Sequence, residues 1–274
     1  MSQTEPTPAQ IREHYLVEKE LASRLRNSTR QERPALYSAM YEELFRRVPH
    51  HPRIVHKIHP DQRRKAIGWQ MSLVRSYLHK NATFVELGPG DCAFSFHVSP
   101  EVARVYGVDV SGDLIKADEK PSNFQLVLSD GCEIPLPDQT ADVVFSQELI
   151  EHIHPDDLPE HLAHVYRILK PGGTFICIAC NRLSGPHDIS SYFDSEATGF
   201  HLKEYRMRDL VELCRQQGFR RMKTYVGARG RYIRVPLALF LGVEALLEAL
   251  PFGRRIARTK LGNALLNLRL FAYR

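Results

Sequence analysis

The stretch "FVELGPGDCA", residues 84–93, decides the fold. Val85 and Leu87 read as the end of a buried strand, Gly88 and Gly90 follow, and Ala93 stands where a dinucleotide fingerprint accepts Gly or Ala. The pattern G-x-G-x-x-G/A is complete, so the question is what the turn holds. A pyrophosphate seeks backbone N–H groups at a helix N-terminus. Glu86, two residues before Gly88, and Asp91, directly after Gly90, oppose that charge. A ligand carrying an ammonium and a sulfonium but no phosphate makes the opposite demand, and the glycines let the backbone approach it. The carboxylates therefore favour S-adenosylmethionine over a dinucleotide.

Outward from this turn, "TFVELG", "RVYGVDV", "FQLVLSD", "ADVVFSQ" and "TFICIAC" are short, apolar and β-branched. Helix-like stretches at 92–102, 111–119 and 156–170 separate most of them. Alternation of this kind predicts a parallel sheet covered on both faces. "RMRDLVELCRQQGF" predicts another helix stopped by Gly218, and "RMKTYV" and "NLRLFAY" supply two last strands. Asp109 and Asp130 fall at strand ends, where ligands bind such sheets. Asp109 is placed to accept from ribose hydroxyls. Asp130 is placed to accept from an adenine amino group, with the N–H of Gly131 or Cys132 beside it.

The chain resembles class I S-adenosylmethionine-dependent methyltransferases, especially the branch of quinone-biosynthesis and related small-molecule enzymes. The resemblance rests on "VELGPGD" (85–91), "GVDVS" (107–111), "SDGCEIPLPDQTADVVFSQELIEHI" (129–153) and "RILKPGGTF" (167–175), in the family's order and spacing. It implies an α/β, Rossmann-like, doubly wound sheet of seven strands, mostly parallel, with the last strand antiparallel beside the fifth. It also implies that Glu86, Gly88 and Gly90 line the methionine end of the cofactor. Asp109 would take the ribose, Asp130 with Gly131 the adenine side, and Ser146 or Gln147 the loop facing the sulfonium. One departure is visible: many members carry a third glycine where this chain has Cys92.

Residues 1–80 predict an N-terminal helical cap. Ile11, Tyr15, Glu18, Leu21 and Leu25 share one helix face; Leu36/Tyr37, Met40/Tyr41 and Leu44/Phe45 form a double stripe on a second helix. A third helix, capped by Asp61, turns Ile67, Met71, Val74 and Leu78 inward. Residues 81–274 then form the cofactor-binding domain, with a basic helical insertion at about 229–267. From Arg229 onward the chain carries nine Lys/Arg against Glu244 and Glu248, although its total net charge is only +5. That asymmetry suggests a local anionic partner. Within it "VPLALFLGVEALLEAL" is too interrupted to span a bilayer, and reads as a buried or lid helix or as an interfacial one.

Methyl transfer is an in-line displacement that needs positioning first, and a hydroxyl acceptor profits from a general base. His152, after the fourth strand, and His187, in the long loop after the fifth, are the candidates. His201 and Glu204 read as a cap or ion pair. His50, His51, His56 and His59 cluster around prolines without ligand spacing, so no metal site is expected. The five cysteines are scattered, and the C-x-x-C of Cys177 and Cys180 lies on a strand that points them to opposite faces. No leader is visible in "MSQTEPTPAQ". The expected setting is cytoplasmic, with membrane-surface contact through the basic segment. The leading expectation is O-methylation of a small or lipid-linked acceptor. The alternatives are an RNA or protein methyltransferase and a non-catalytic cofactor-binding module. Nucleic acid is disfavoured because "SQELIEHIHP" lacks an Asn/Asp-Pro-Pro-aromatic signature and the tail lacks interleaved aromatics.

Overall fold

A computed structural model describes residues 6–51, 60–112 and 120–274. Most of the helix expected at 111–119, together with His56 and His59, lies outside the described residues. Helix α1 (Pro8–Arg26) starts on a reciprocal capping box: Gln10 N–H donates to Thr7 Oγ1, Thr7 N–H donates to Gln10 Oε1, and Pro8 opens the first turn. In the turn before helix α2 (Arg33–Arg47), Thr29 N–H and Oγ1 both donate to Glu32 Oε2 at 2.8 Å. Val17, Leu21 and Leu25 of α1 pack on Met40 and Leu44 of α2 and on Phe200 and Leu202 of the main body. Helix α3 (Pro60–Val74) packs elsewhere, with Leu73 and Val74 against the sheet.

The sheet contains β1 (Thr83–Leu87), β2 (Arg104–Asp109), β3 (Phe124–Leu128), β4 (Ala141–Gln147), β5 (Leu169–Ala179), β6 (Arg221–Ala228), β7 (Arg231–Val235) and β8 (Leu268–Tyr273). Their order is β3-β2-β1-β4-β5-β8-β6-β7. Strands β1 to β5 run parallel, and β8 lies antiparallel between β5 and β6. All seven expected strands are present. The eighth, β7, is a correction: the segment from 229 opens as a hairpin with β6 before any helix begins. Its turn residues, Arg229 and Gly230, have φ of 54° and 80°, the left-handed pair that a two-residue hairpin turn requires.

Successive strand residues face opposite sides. Val85, Leu87, Val144, Phe175, Cys177 and Leu270 join one core with helices α5 (Leu158–Ile168) and α6 (Met207–Gln216). Phe84, Val143, Phe145, Ile176 and Phe271 join the other with α3 and helix α4 (Ala93–Val98). All five cysteines are free, and only Cys180 is not fully buried.

Helices α7 (Leu237–Ala249), α8 (Gly253–Ala257) and α9 (Lys260–Leu266) precede β8. Glu244, an interruption of the apolar run in the sequence, turns inward. It accepts from Met207 N–H (2.8 Å), Arg208 N–H (3.2 Å) and Asn181 Nδ2 (2.9 Å). It thereby serves the open N–H groups at the start of α6, a favourable place for a carboxylate. Helix α7 is thus neither wholly buried nor free of the body. Leu239, Val243 and Leu246, spaced along its other side, are exposed.

Candidate functional site

The order of strands reverses between β1 and β4, which is where open α/β sheets form a ligand crevice at the carboxyl ends of their strands. Gly88 and Gly90 follow β1 with φ of 64° and 56°. The left-handed backbone at Gly88 favours glycine, and a Cβ there would press on Leu149 Cδ1 at 3.0 Å. Cys92 is also left-handed, with φ of 58°, and is buried. The third glycine position therefore keeps its backbone shape with a thiol in it, at a cost of about 1–2 kcal/mol in local strain. Gly88 N–H donates to Val108 O (2.9 Å) and Gly90 N–H to Asp109 Oδ2 (3.3 Å), tying the β1 and β2 loops together.

Glu86 is buried beneath this turn and accepts from Ser95 Oγ at 2.5 Å. Burial, reinforced by the charges of Asp91 and Asp109 and opposed by the Ser95 hydrogen bonds, pushes its carboxyl up to about 8. Asp91 pairs with Arg63 of α3. Asp109 is raised by burial despite accepting from Val110 N–H at 2.7 Å. A buried carboxyl raised in this way gains from a cation. The crevice suits an ammonium or sulfonium and would penalise a diphosphate.

Asp130 is more occupied than the sequence suggests. Its Oδ1 accepts from Cys132 N–H (2.9 Å) and Glu133 N–H (2.6 Å), and Oδ2 lies 3.4 Å from Arg30 Nη2. Gly131, φ 93°, lies under the ring of Tyr37, whose Cδ2 would be 2.5 Å from a Cβ there. Ser146 is buried on β4, and its hydroxyl has no hydrogen-bond partner among the described residues. Gln147 Oε1 accepts from Gln70 of α3 at 3.2 Å.

Beyond β4 a cavity of about 500 Å³ opens beneath α1 and α2. His152 and His187 both line it, with His14, Glu18 and Glu148, whose places here the sequence does not show, and His201 of the expected His201–Glu204 pair. His152 Nδ1 lies 2.9 Å from the carbonyl of Phe200. A carbonyl only accepts, so Nδ1 carries the proton and the lone pair of the neutral ring is on Nε2. Glu204, buried, holds two more groups: its Oε1 accepts from His187 N–H (2.7 Å) and from His201 Nδ1 (2.8 Å). Burial lowers His201, but Glu204, Glu151 and Asp188 together outweigh it and leave the imidazole raised. The carboxyl of Glu151 is buried with no hydrogen bond of ordinary geometry among the described residues; burial, aided by Glu148 and opposed by His201, pushes it up to about 7.

The cap is latched over the cavity by charge. Arg33 of α2 is buried and pairs with the buried Asp157, and Arg30 reaches Asp130, Asp157 and Glu160. Tyr37 Oη accepts from His154 N–H at 2.7 Å. His51 is buried, its ring 4.5 Å from that of His14. Arg254 and Arg258, expected to face a partner, donate to the carbonyls of Ser195 and Gly185.

The sheet and its inserted antiparallel strand share the fold of solved S-adenosylmethionine-dependent methyltransferases. Residues 85–177 match the model of the methyltransferase domain family. Over 87 residues the chain is 34% identical to a probable S-adenosylmethionine-dependent methyltransferase of Mycolicibacterium smegmatis, covering 32% of each chain. It is 33% identical over 134 residues to a demethylmenaquinone methyltransferase of Protochlamydia amoebophila, covering 44% of this chain and 53% of that one. The chain thus spans about a third to a half of the length of these relatives. Among solved structures, a methyltransferase of Thermotoga maritima described as a possible histamine N-methyltransferase shares the fold. Its TM-score is 0.53 at 16% identity, over 77% of this chain and 90% of that one.

Proposed function

We propose that this chain transfers the methyl group of S-adenosylmethionine to a hydroxyl of a small or lipid-linked acceptor bound beneath α1 and α2. The observation that carries the reading is the cavity itself. It abuts the β4 end of the cofactor crevice at Glu148, and its walls hold His152 with Nε2 as the basic nitrogen. In this reading Glu86, Gly88 and Gly90 hold the methionine end of the cofactor, Asp109 the ribose, and Asp130 and Gly131 the adenine. Ser146 and Gln147 line the approach to the sulfonium. The bound cofactor supplies an electrophilic methyl. The chain aligns the acceptor oxygen behind it, and His152 or His187 takes the hydroxyl proton, a role worth about 10²–10⁴ in rate. Glu204 orients the His187 backbone and the His201 ring, and the latched cap excludes water.

The acceptor atom is tested by separate His152→Ala and His187→Ala substitutions. The reading expects one of them to lower turnover about 10²-fold or more with unchanged cofactor affinity. Full turnover in both overturns the assignment. A lipid-linked acceptor is supported by the exposed Leu239, Val243, Leu246, Phe252, Ile256 and Leu261 on α7 to α9, flanked by Arg255 and Lys260. Among the described residues no helix is long and apolar enough to cross a membrane. Co-sedimentation with anionic vesicles, reduced by Leu246→Glu with Phe252→Glu, supports surface contact. Binding that ignores these changes, or no binding, removes it.

A further inference from the structure

His14 and Glu18 stand one turn apart on α1, and His51 follows α2 after a sharp turn closed by His51 N–H donating to Val48 O. All three side chains are buried, and all three line the cavity beneath the cap. One ligand atom from each lies within 4.8 Å of the others, and His14 Nε2 is 2.8 Å from Glu18 Oε2. A tetrahedral ion about 2.1 Å from each donor needs its ligands about 3.4 Å apart. The His14–Glu18 separation is shorter than that and none of the others exceeds 4.8 Å, so the donors lie within reach of one ion. Among the described residues this is the one cluster of its kind.

The surroundings support more than a chance pair. Glu18 Oε1 accepts from the buried Phe200 N–H at 2.9 Å, which fixes the carboxylate while its other oxygen meets His14 Nε2. Gly199 makes that approach possible, since a Cβ there would lie 2.4 Å from Glu18 Oε1. A purely structural His–Glu pair has no need of a second imidazole stacked edge-on against the first. Two imidazoles and one carboxylate form a donor set for Zn²⁺ and neighbouring first-row divalent ions.

We propose that His14, Glu18 and His51 form a divalent transition-metal site in the wall of the cavity. Three protein ligands with the remaining side toward a cavity is the arrangement of an open site, one that takes a water or a substrate oxygen. Its use to hold the acceptor's oxygen rests on the methyl-transfer reading; metal binding does not.

The test is titration of the metal-stripped full-length protein with Co²⁺, read by visible absorption, followed by Zn²⁺ displacement. The site predicts one equivalent bound with the intense bands of a low-coordinate ion, lost in Glu18→Gln and in His51→Ala. His50→Ala should bind as the parent does, because His50 Nε2 is engaged by Gln10 O at 3.0 Å and is not a ligand. Circular dichroism and cofactor affinity, measured on each variant, separate loss of the site from loss of the fold. No visible band, or binding undiminished in both ligand variants of intact fold, overturns the proposal. A bound metal in a protein that transfers no methyl group upholds the site and removes the methyl-transfer reading instead.

Discussion

The cofactor crevice and the cavity under the cap meet at the end of β4, yet they are built in opposite ways. The crevice is made by consecutive residues: Glu86, Gly88, Gly90 and Cys92 lie within seven positions, and three of them need a left-handed backbone. The cavity is made by distant ones, with His14 and Glu18 from α1, His51, His152, and His187 and His201 from the loop after β5. The first is held by backbone geometry and hydrogen bonds between neighbouring loops. The second exists only while the cap is docked, and the docking combines apolar packing of α1 on Phe200 and Leu202 and Arg26 donating to the carbonyls of Thr198, Gly199 and His201 with the Arg30 and Arg33 ion pairs and Tyr37. Such a difference predicts that substitutions separate the two halves.

The largest effect is expected at the latch. Arg33→Ala leaves Asp157 buried without its main cation, a change that costs about 3–5 kcal/mol. Urea unfolding should show that loss together with early exposure of the cap, whereas cofactor affinity of the folded protein should hardly move. A loss below about 1 kcal/mol, the scale of a surface pair, would mean that this bond does not hold the cap.

Next comes Glu86. Glu86→Gln should weaken S-adenosylmethionine binding by about 2–4 kcal/mol, or roughly 30- to 1,000-fold, while leaving the cap in place. The pH dependence has a definite sign. With its carboxyl near 8 in the free protein, Glu86 is mostly protonated at pH 7 and must lose its proton to meet a cation. Binding should release a proton at pH 7, and affinity should rise as pH goes from 6 toward 8. Calorimetry in buffers of different ionisation enthalpy reads this directly. A proton release that survives in Glu86→Gln would place it on another group.

The smallest of the three sits where the halves touch. Gly131→Ala puts a Cβ 2.5 Å from the Tyr37 ring at φ 93°. We expect a loss of about 1–3 kcal/mol in stability, from the strained backbone and a displaced ring. Pairing it with Tyr37→Leu tells the two causes apart: relief of part of the loss assigns it to the cap contact, and simple additivity assigns it to the turn alone.

The same contrast explains what is legible in the sequence. Alternating apolar strands and a glycine turn are local signals, and they lead to the seven strands and to a cation-preferring crevice. In the sequence Glu86 and Asp91 suggest the choice between ligands together, whereas in the structure Asp91 is paired with Arg63 and Glu86 alone lies buried beneath the turn. Cys92 is visible as a departure, but only its φ of 58° shows why glycine is common at that position. Strand β7 is hidden because its Arg residues blend with the basic segment, although Arg229-Gly230 forms a hairpin turn. His14, Glu18 and His51 escape notice for a different reason. Helical periodicity marks Glu18 as an inward position but says nothing of what it meets, and a ligand search among the nearby His50 to His59 looks along the chain where the partners lie across it. Glu244 passes for a solvent-facing interruption because its three donors come from the exit of β5 and the start of α6.

Following the methyl group tests an acceptor bound beneath the cap most directly. Labelled S-adenosylmethionine is incubated with the protein and a cell extract, and the products are split into lipid, polar small-molecule and macromolecular fractions. The parallel reaction uses Ile11→Trp, which fills the cavity from α1 without touching the glycine turn. The prediction is label in the lipid or polar fraction, largely lost in the variant at unchanged cofactor affinity. Label in the macromolecular fraction, or transfer that is indifferent to a filled cavity, would contradict it.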